Sequence, residues 1–129
     1  MKRQTENGTN IGQWVVFDAP SNLGLRPPED GVVPGCYKIP WALRDRHLID
    51  LINADDGGSL VPPRYHAKWA PGEGVRNAEG IAAFSVELAD RISTEIDNGR
   101  KVLVLGGDCS ILIGNMLSAY RGATTRQPI

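Results

Sequence analysis

Three stretches of this sequence carry the side chains best suited to chemistry. Residues 106–110, Gly-Gly-Asp-Cys-Ser, set a carboxylate, a thiol and a hydroxyl in succession behind the apolar run 102–105. A thiolate is a nucleophile and a soft metal ligand, and a carboxylate is a hard ligand or a proton acceptor. Where such a turn joins a strand to a helix, the helix amino terminus offers N–H groups that favour an anion or a metal–carboxylate cluster. The plainer alternative is that Asp108 or Ser110 caps the helix and Cys109 packs as a small apolar side chain. The second stretch, Asp45-Arg46-His47 with Asp50, resembles a ligand motif on paper. In a helix, however, Asp45 and His47 point apart and only His47 and Asp50 share a face. It reads as a solvated helix flank. The third holds His66 beside Lys68 and Trp69, where a loop surface is the simpler reading. Gly72 and Gly74 are too loosely spaced for a phosphate loop, and no Gly-Lys-Ser/Thr follows.

The surrounding pattern supplies elements to position these groups. Residues 14–19 form a short β-rich apolar run closed by Pro20. Six glycines and prolines between 21 and 35 predict a long irregular loop. Pro40 is suited to open a helix over 40–55, with Leu43, His47 and Leu51 on one stripe and Gly57-Gly58 beyond its end. Residues 59–62 read as a weak second strand. The long helix is predicted at 75–98, its apolar positions including Val75, Ala82, Val86, Ile81, Leu88 and Ile92, with Gly99 as its stop. A third strand at 102–105 and a helix from Ser110 to Tyr120, ending near Gly122, complete the order. Alternating strands and helices imply a parallel sheet flanked by helices, with sites at the carboxyl ends of the strands. The unbroken Val-Leu-Val-Leu run suits a strand covered on both faces.

The totals limit the function classes. A chain of 129 residues fits one domain, with residues 1–13 a polar tail expected to be disordered and 14–129 the folded part. A net charge of -1 gives no footprint for nucleic acid or an anionic membrane. No apolar run reaches a membrane span, and no signal-peptide pattern opens the chain. Two cysteines, Cys36 and Cys109, are then expected as reduced thiols in a cytoplasmic setting.

The run Val-Leu-Gly-Gly-Asp-Cys-Ser-Ile-Leu-Ile-Gly, residues 104–114, closely resembles the first metal motif of the arginase, agmatinase and formiminoglutamase (ureohydrolase) family, Gly-Gly-Asp-His-Ser. Pro20-Ser21-Asn22-Leu23-Gly24, then Pro34-Gly35 and Pro40-Trp41-Ala42-Leu43-Arg44, are similar to that family's opening loop and first helix start, in the family's order. The resemblance covers residues 14–122. It implies an open three-layer α/β sheet of which only the first three strand–helix units are present. It also implies a divalent metal cofactor, manganese in the family, that activates water for hydrolysis of a guanidino, amidino or formimino C–N bond, and an oligomeric assembly, homo- or hetero-oligomeric. By carry-over, Cys109 takes the place of the first metal-binding His, with Gly106, Gly107, Asp108 and Ser110 shaping the site.

Two departures qualify that expectation. Thiolate is softer than imidazole, so Cys109 should weaken manganese and favour zinc or iron, although a related branch of family-like sequences carries Gly-Gly-Asp-Cys-Ser. The family's remaining ligand motifs, Asp-x-His-x-Asp and Asp-x-Asp-x-x-Asp-Pro, do not occur in this sequence. Pro128-Ile129 resemble the first residues of the strand that should carry the next one. The expectation is therefore a truncated ureohydrolase-like protein, inactive at this length and without bound metal. One alternative is a non-catalytic module that pairs with a complete relative through an exposed sheet edge. The other, a cysteine-nucleophile hydrolase, is disfavoured because Ile111 stands where a nucleophile turn wants a small residue.

Overall fold

The computed structural model describes residues 12–125. Three parallel strands, β1 (Trp14–Ala19), β2 (Asp55–Ser59) and β3 (Lys101–Gly106), form a sheet in the order β2-β1-β3. The long helices are α3 (Ala78–Asp97) and α4 (Ile111–Thr125), and two short ones, α1 (Ile39–Asp45) and α2 (Leu48–Leu51), precede β2. None of the described helices is long and apolar enough to cross a membrane. The tail expected over residues 1–13 and the strand start expected at Pro128-Ile129 fall mostly or wholly outside the described residues. Within reach, Gly12 donates its N–H to Gly99 O at 2.8 Å, and Gln13 O accepts the Lys101 N–H at 3.0 Å.

β1 occupies the residues its apolar run predicts, and its central place explains the composition. With strands on both sides and helices over both faces, Val15, Val16, Phe17 and Ala19 are all buried. Phe17 and Ala19 face a core shared with Leu23, Ile81, Phe84, Leu88 and Ile92. On the opposite face, buried Asp18 accepts both Arg44 Nε–H of α1 (3.1 and 3.0 Å) and the Ser59 hydroxyl (2.7 Å). A paired, hydrogen-bonded carboxylate is the condition under which such burial is tolerated.

β2 is displaced from the expected 59–62 to the polar segment Asp-Asp-Gly-Gly-Ser. It pairs with β1 through Val15↔Asp55, Val16↔Asp56 and Asp18↔Ser59, with an irregularity between Val16 and Asp18. Backbone pairing, not side-chain burial, makes this a strand, and polar residues suit an edge. Gly57 fits closely: a Cβ there would stand 3.0 Å from Arg91 Nη2, Val15 Cγ2 and Val16 O, so these neighbours would have to give way.

The single helix expected from Pro40 is broken in two. Arg46 and His47 close α1 with bonds to Leu43 O and Arg44 O, and His47 takes the left-handed conformation at φ 63° before α2 begins. That turn leaves Arg44 free to span Asp18 and Asp56, at 3.0 and 2.9 Å. α3 begins later than predicted because Asn77 is also left-handed, at φ 52°. The Asn77 amide donates to Leu23 O at 2.9 Å and its oxygen accepts the His66 N–H at 2.8 Å, so this residue joins two loops to the helix start. Val75, Ala82 and Val86, expected on the apolar face, are exposed; the buried stripe runs Ile81, Phe84, Ser85, Leu88, Ala89 and Ile92. α4 continues past Gly122 to Thr125 and packs on α3, where Gly114 admits the Ser85 carbonyl.

β3 departs from the expectation of a central strand covered on both faces. It pairs with β1 from Trp14↔Lys101 to Ala19↔Gly106 and with no other described strand. Only Leu105 is buried, while Val102, Leu103 and Val104 are half-buried, because one flank has no neighbouring strand among the described residues.

Candidate functional site

The carboxyl ends of β1 and β3 lie side by side, and each runs into a turn. β3 enters Gly106–Gly107, whose connecting peptide is cis, and β1 enters Pro20-Ser21-Asn22-Leu23-Gly24. The glycines let these turns interlock. A Cβ at Gly106 would collide with Ile111. At Gly107, where φ is 104°, a Cβ would meet Ala19 O and Ser21 O at 2.7 Å. The Asp108 N–H then donates to Ser21 O at 2.9 Å.

Asp108 is buried and fully engaged. One carboxylate oxygen accepts the Gly24 N–H at 2.6 Å, and the other accepts the Ser110 hydroxyl at 2.7 Å. Ser110 Oγ also lies 3.3 Å from Ser21 Oγ, which accepts the Leu23 N–H at 3.2 Å. Gly24 has to be small here, since a Cβ would stand 2.6 Å from that same carboxylate oxygen. Neither plain alternative describes the turn. The Asp108 side chain binds the opposite loop instead of capping α4, and the first turn of α4 is closed by main-chain bonds from Ile111, Leu112 and Ile113 to Asp108 O, Cys109 O and Ser110 O. Cys109 is exposed, not packed in the core.

Cys36, which has no recognisable partner in the sequence, also belongs here. It lies in the 3₁₀ turn Gly35–Lys38 and donates its thiol to Ser21 O at 3.4 Å. Burial pushes this thiol's pKa up, and the charges of Asp108 and Cys109 add to the rise. Cys36 and Cys109 are 73 positions apart, so only the adjacency of the two strand ends reveals the pairing. Asn22 is buried and donates to Pro34 O at 3.1 Å, which holds the loop against this turn. On its outer side Asn22 borders a groove of about 490 Å³ with Tyr37, Trp41, Leu60 and Tyr65.

The other candidates stay apart. His47 is the left-handed residue between α1 and α2, and His66 lines a separate hollow with Arg64, Lys68 and Glu79. Among the described residues no hydrogen bond or ion pair joins either imidazole to Cys109. Nor do the described residues contain a group of three or more His, Cys, Asp or Glu able to hold a metal ion. The turn thus offers one exposed thiol and one occupied carboxylate, which is less than a metal centre requires.

No family model matches the chain. Over 105 residues it is 30% identical to the arginases of Staphylococcus aureus strains COL and N315, an alignment covering 78% of this chain and 34% of each relative. Among solved structures, arginase from Bacillus subtilis superposes with a TM-score of 0.69 at 26% identity, covering 85% of this chain and 35% of that one. Bacillus cereus arginase gives 0.68 at 27% identity, with 84% and 34% covered. Bacillus caldovelox arginase, at 24% identity and a TM-score of 0.73, shares the fold. The chain spans about a third of the length of these relatives. The motif order, the parallel sheet and these likenesses agree: the chain belongs to the arginase (ureohydrolase) family, and it represents the amino-terminal portion of that family's α/β fold.

Proposed function

We propose that this chain is the front part of an arginase-like, metal-dependent hydrolase that cleaves a guanidino or formimino C–N bond, and that these 129 residues alone do not perform the reaction. The observation that carries this reading is the β3–α4 turn. Its glycines and Asp108 are locked to the β1 loop, and the motif resemblance would put Cys109 in the role of the family's first His ligand. A divalent metal in such enzymes lowers the pKa of bound water. The described residues alone fall short of holding one. In the completed protein Cys109 would contribute a soft ligand that disfavours manganese relative to zinc or iron. Asp108 would keep the turn in place through its bonds to Gly24 and Ser110. A cytoplasmic location and an oligomeric state accompany this reading.

Assay of urea or amide release from guanidino and formimino compounds, with manganese, zinc or iron supplied, tests it. The expected result is no turnover by the 129-residue chain and metal-dependent turnover by a longer natural product containing it. Turnover by the short chain alone overturns its inactivity. A longer product that binds no divalent metal overturns the hydrolase reading.

A second reading rests on the open flank of β3. There a cleft of about 500 Å³ runs between Ile92, Ile96, Val102, Val104 and Asn115, and the buried Asn115 Oδ1 has no hydrogen-bond partner among the described residues. A non-catalytic module that pairs with a complete arginase-like protein would use this edge. Such a module would elute as a stable hetero-complex with that protein in size-exclusion chromatography; separate elution sinks the idea. A cysteine-nucleophile hydrolase has no such support, because no imidazole is placed to activate Cys109.

A further inference from the structure

The sequence holds two cysteines, and the fold brings Cys36 and the residue before Cys109 to one backbone atom. Ser21 O accepts the Cys36 thiol at 3.4 Å and the Asp108 N–H at 2.9 Å. The Cys36 sulfur therefore lies within two hydrogen-bond lengths of the main chain that carries Cys109, the next residue. The two thiols differ in access: Cys109 is exposed and Cys36 is half-buried. The elements that carry them differ in freedom as well. Cys109 sits in a turn fixed by Asp108, Gly107 and Ser110, whereas Cys36 sits in a four-residue 3₁₀ turn that buries none of its side chains.

We propose that Cys36 and Cys109 form a reversible disulfide linking the turn after Pro34 to the β3–α4 turn, with Cys109 as the attacking thiol and Cys36 as the resolving one. The oxidant is a low-molecular-weight disulfide. Cys109 thiolate attacks one sulfur of that disulfide, a mixed disulfide forms, and the first small thiolate leaves. Cys36 gives its proton to water, and its thiolate attacks the Cys109 sulfur and expels the second small thiolate. The protein loses two hydrogens and two electrons, and the small disulfide becomes two thiols. The division of labour follows from access: Cys109 meets the reagent from solvent, while the half-buried Cys36 meets it only as the mixed disulfide formed next to it. A short turn without buried side chains can move toward the separation a disulfide needs, Cα atoms about 5.5 Å apart. This modification stands on the thiol placement alone, independent of any metal chemistry.

The test is intact-mass analysis of the folded chain incubated with oxidised glutathione, in parallel with Cys36→Ser and Cys109→Ser. The wild-type chain is expected to lose two hydrogens with no retained adduct, to yield a cross-linked Cys36–Cys109 peptide on digestion, and to revert with dithiothreitol. Cys36→Ser should instead retain one glutathione on Cys109, and Cys109→Ser should react more slowly. Ring closure in the wild-type chain should also be faster when folded than in urea, a comparison that needs no variant. A wild-type chain that accumulates the adduct as Cys36→Ser does, forms only intermolecular dimers, or closes no faster folded than unfolded overturns the proposal.

Discussion

Gly107 holds φ at 104° with the Ala19 and Ser21 carbonyl oxygens closing over its Cα. Two separate demands meet at this residue, a backbone conformation that L side chains avoid and a contact that leaves no room for a methyl group. Gly107→Ala should therefore destabilise the chain by about 2 kcal/mol or more, combining strain at positive φ with a forced shift of the β1 loop. Chemical denaturation read by tryptophan fluorescence measures this, and an unchanged midpoint would refute the close packing described. The tight pair of glycines was legible in the sequence because it interrupts an apolar run. The role of Asp108 was only partly so. Its type and place after the glycines marked it, but its partner Gly24 lies 84 positions away, and no local pattern records that distance. Cys36 was illegible for the same reason: its neighbours Ser21 and Cys109 belong to other strands' ends.

At the scale of the elements, legibility follows from what holds each one in place. β1 could be read at its own boundaries because a strand buried on both faces must be apolar throughout. β2 could not, since its polar Asp-Asp-Gly-Gly-Ser sequence becomes a strand only through pairing with β1. The broken first helix is a similar case. Arg44 must reach both Asp18 and Asp56, and the left-handed His47 ends α1 just after it. That network gives β2 a pH dependence. Burial raises the Asp56 pKa, but the Gly58 N–H and the Arg44 guanidinium outweigh it and hold the carboxyl below its ordinary value. A group whose pKa is depressed on folding contributes stability above the unfolded value, about 3.9 for Asp, and loses it as pH falls through the lower folded value. Asp56→Asn should thus leave a shallower loss of stability below that pH than the wild-type chain shows. Added salt should weaken the difference because Asp56 is exposed. Thermal melts at stepped acidic pH provide the comparison. The α3 core gives a larger effect. Leu88 is fully buried between Phe17, Leu23 and the Gly114 contact, so Leu88→Ala should cost about 3 kcal/mol as a lower urea midpoint.

Over the whole molecule, apolar cover is uneven. β1 is enclosed, whereas one flank of β3 has no neighbour among the described strands, and α4 exposes Leu112, Ile113, Met116 and Tyr120. Successive N–H groups of a strand point to opposite neighbours. Lys101 N–H donates to Gln13 O on the β1 side, so by alternation the Leu103 and Leu105 amides also face β1. The amides of Val102 and Val104 then face the other flank, beside the cleft where Asn115 Oδ1 is buried without a partner among the described residues. Hydrogen exchange followed residue by residue should separate the two sets. In the isolated chain Leu103 and Leu105 should exchange only through larger openings of the sheet, while Val102 and Val104 exchange far faster, as unpaired amides do. In a longer protein that completes the sheet, or in a complex that covers this edge, the Val102 and Val104 amides should slow until they match Leu103. Protection of Val102 and Val104 in the isolated chain that disappears on dilution would instead mean that a second copy occupies the edge. Equal, concentration-independent exchange of all four amides would contradict the one-sided pairing of β3.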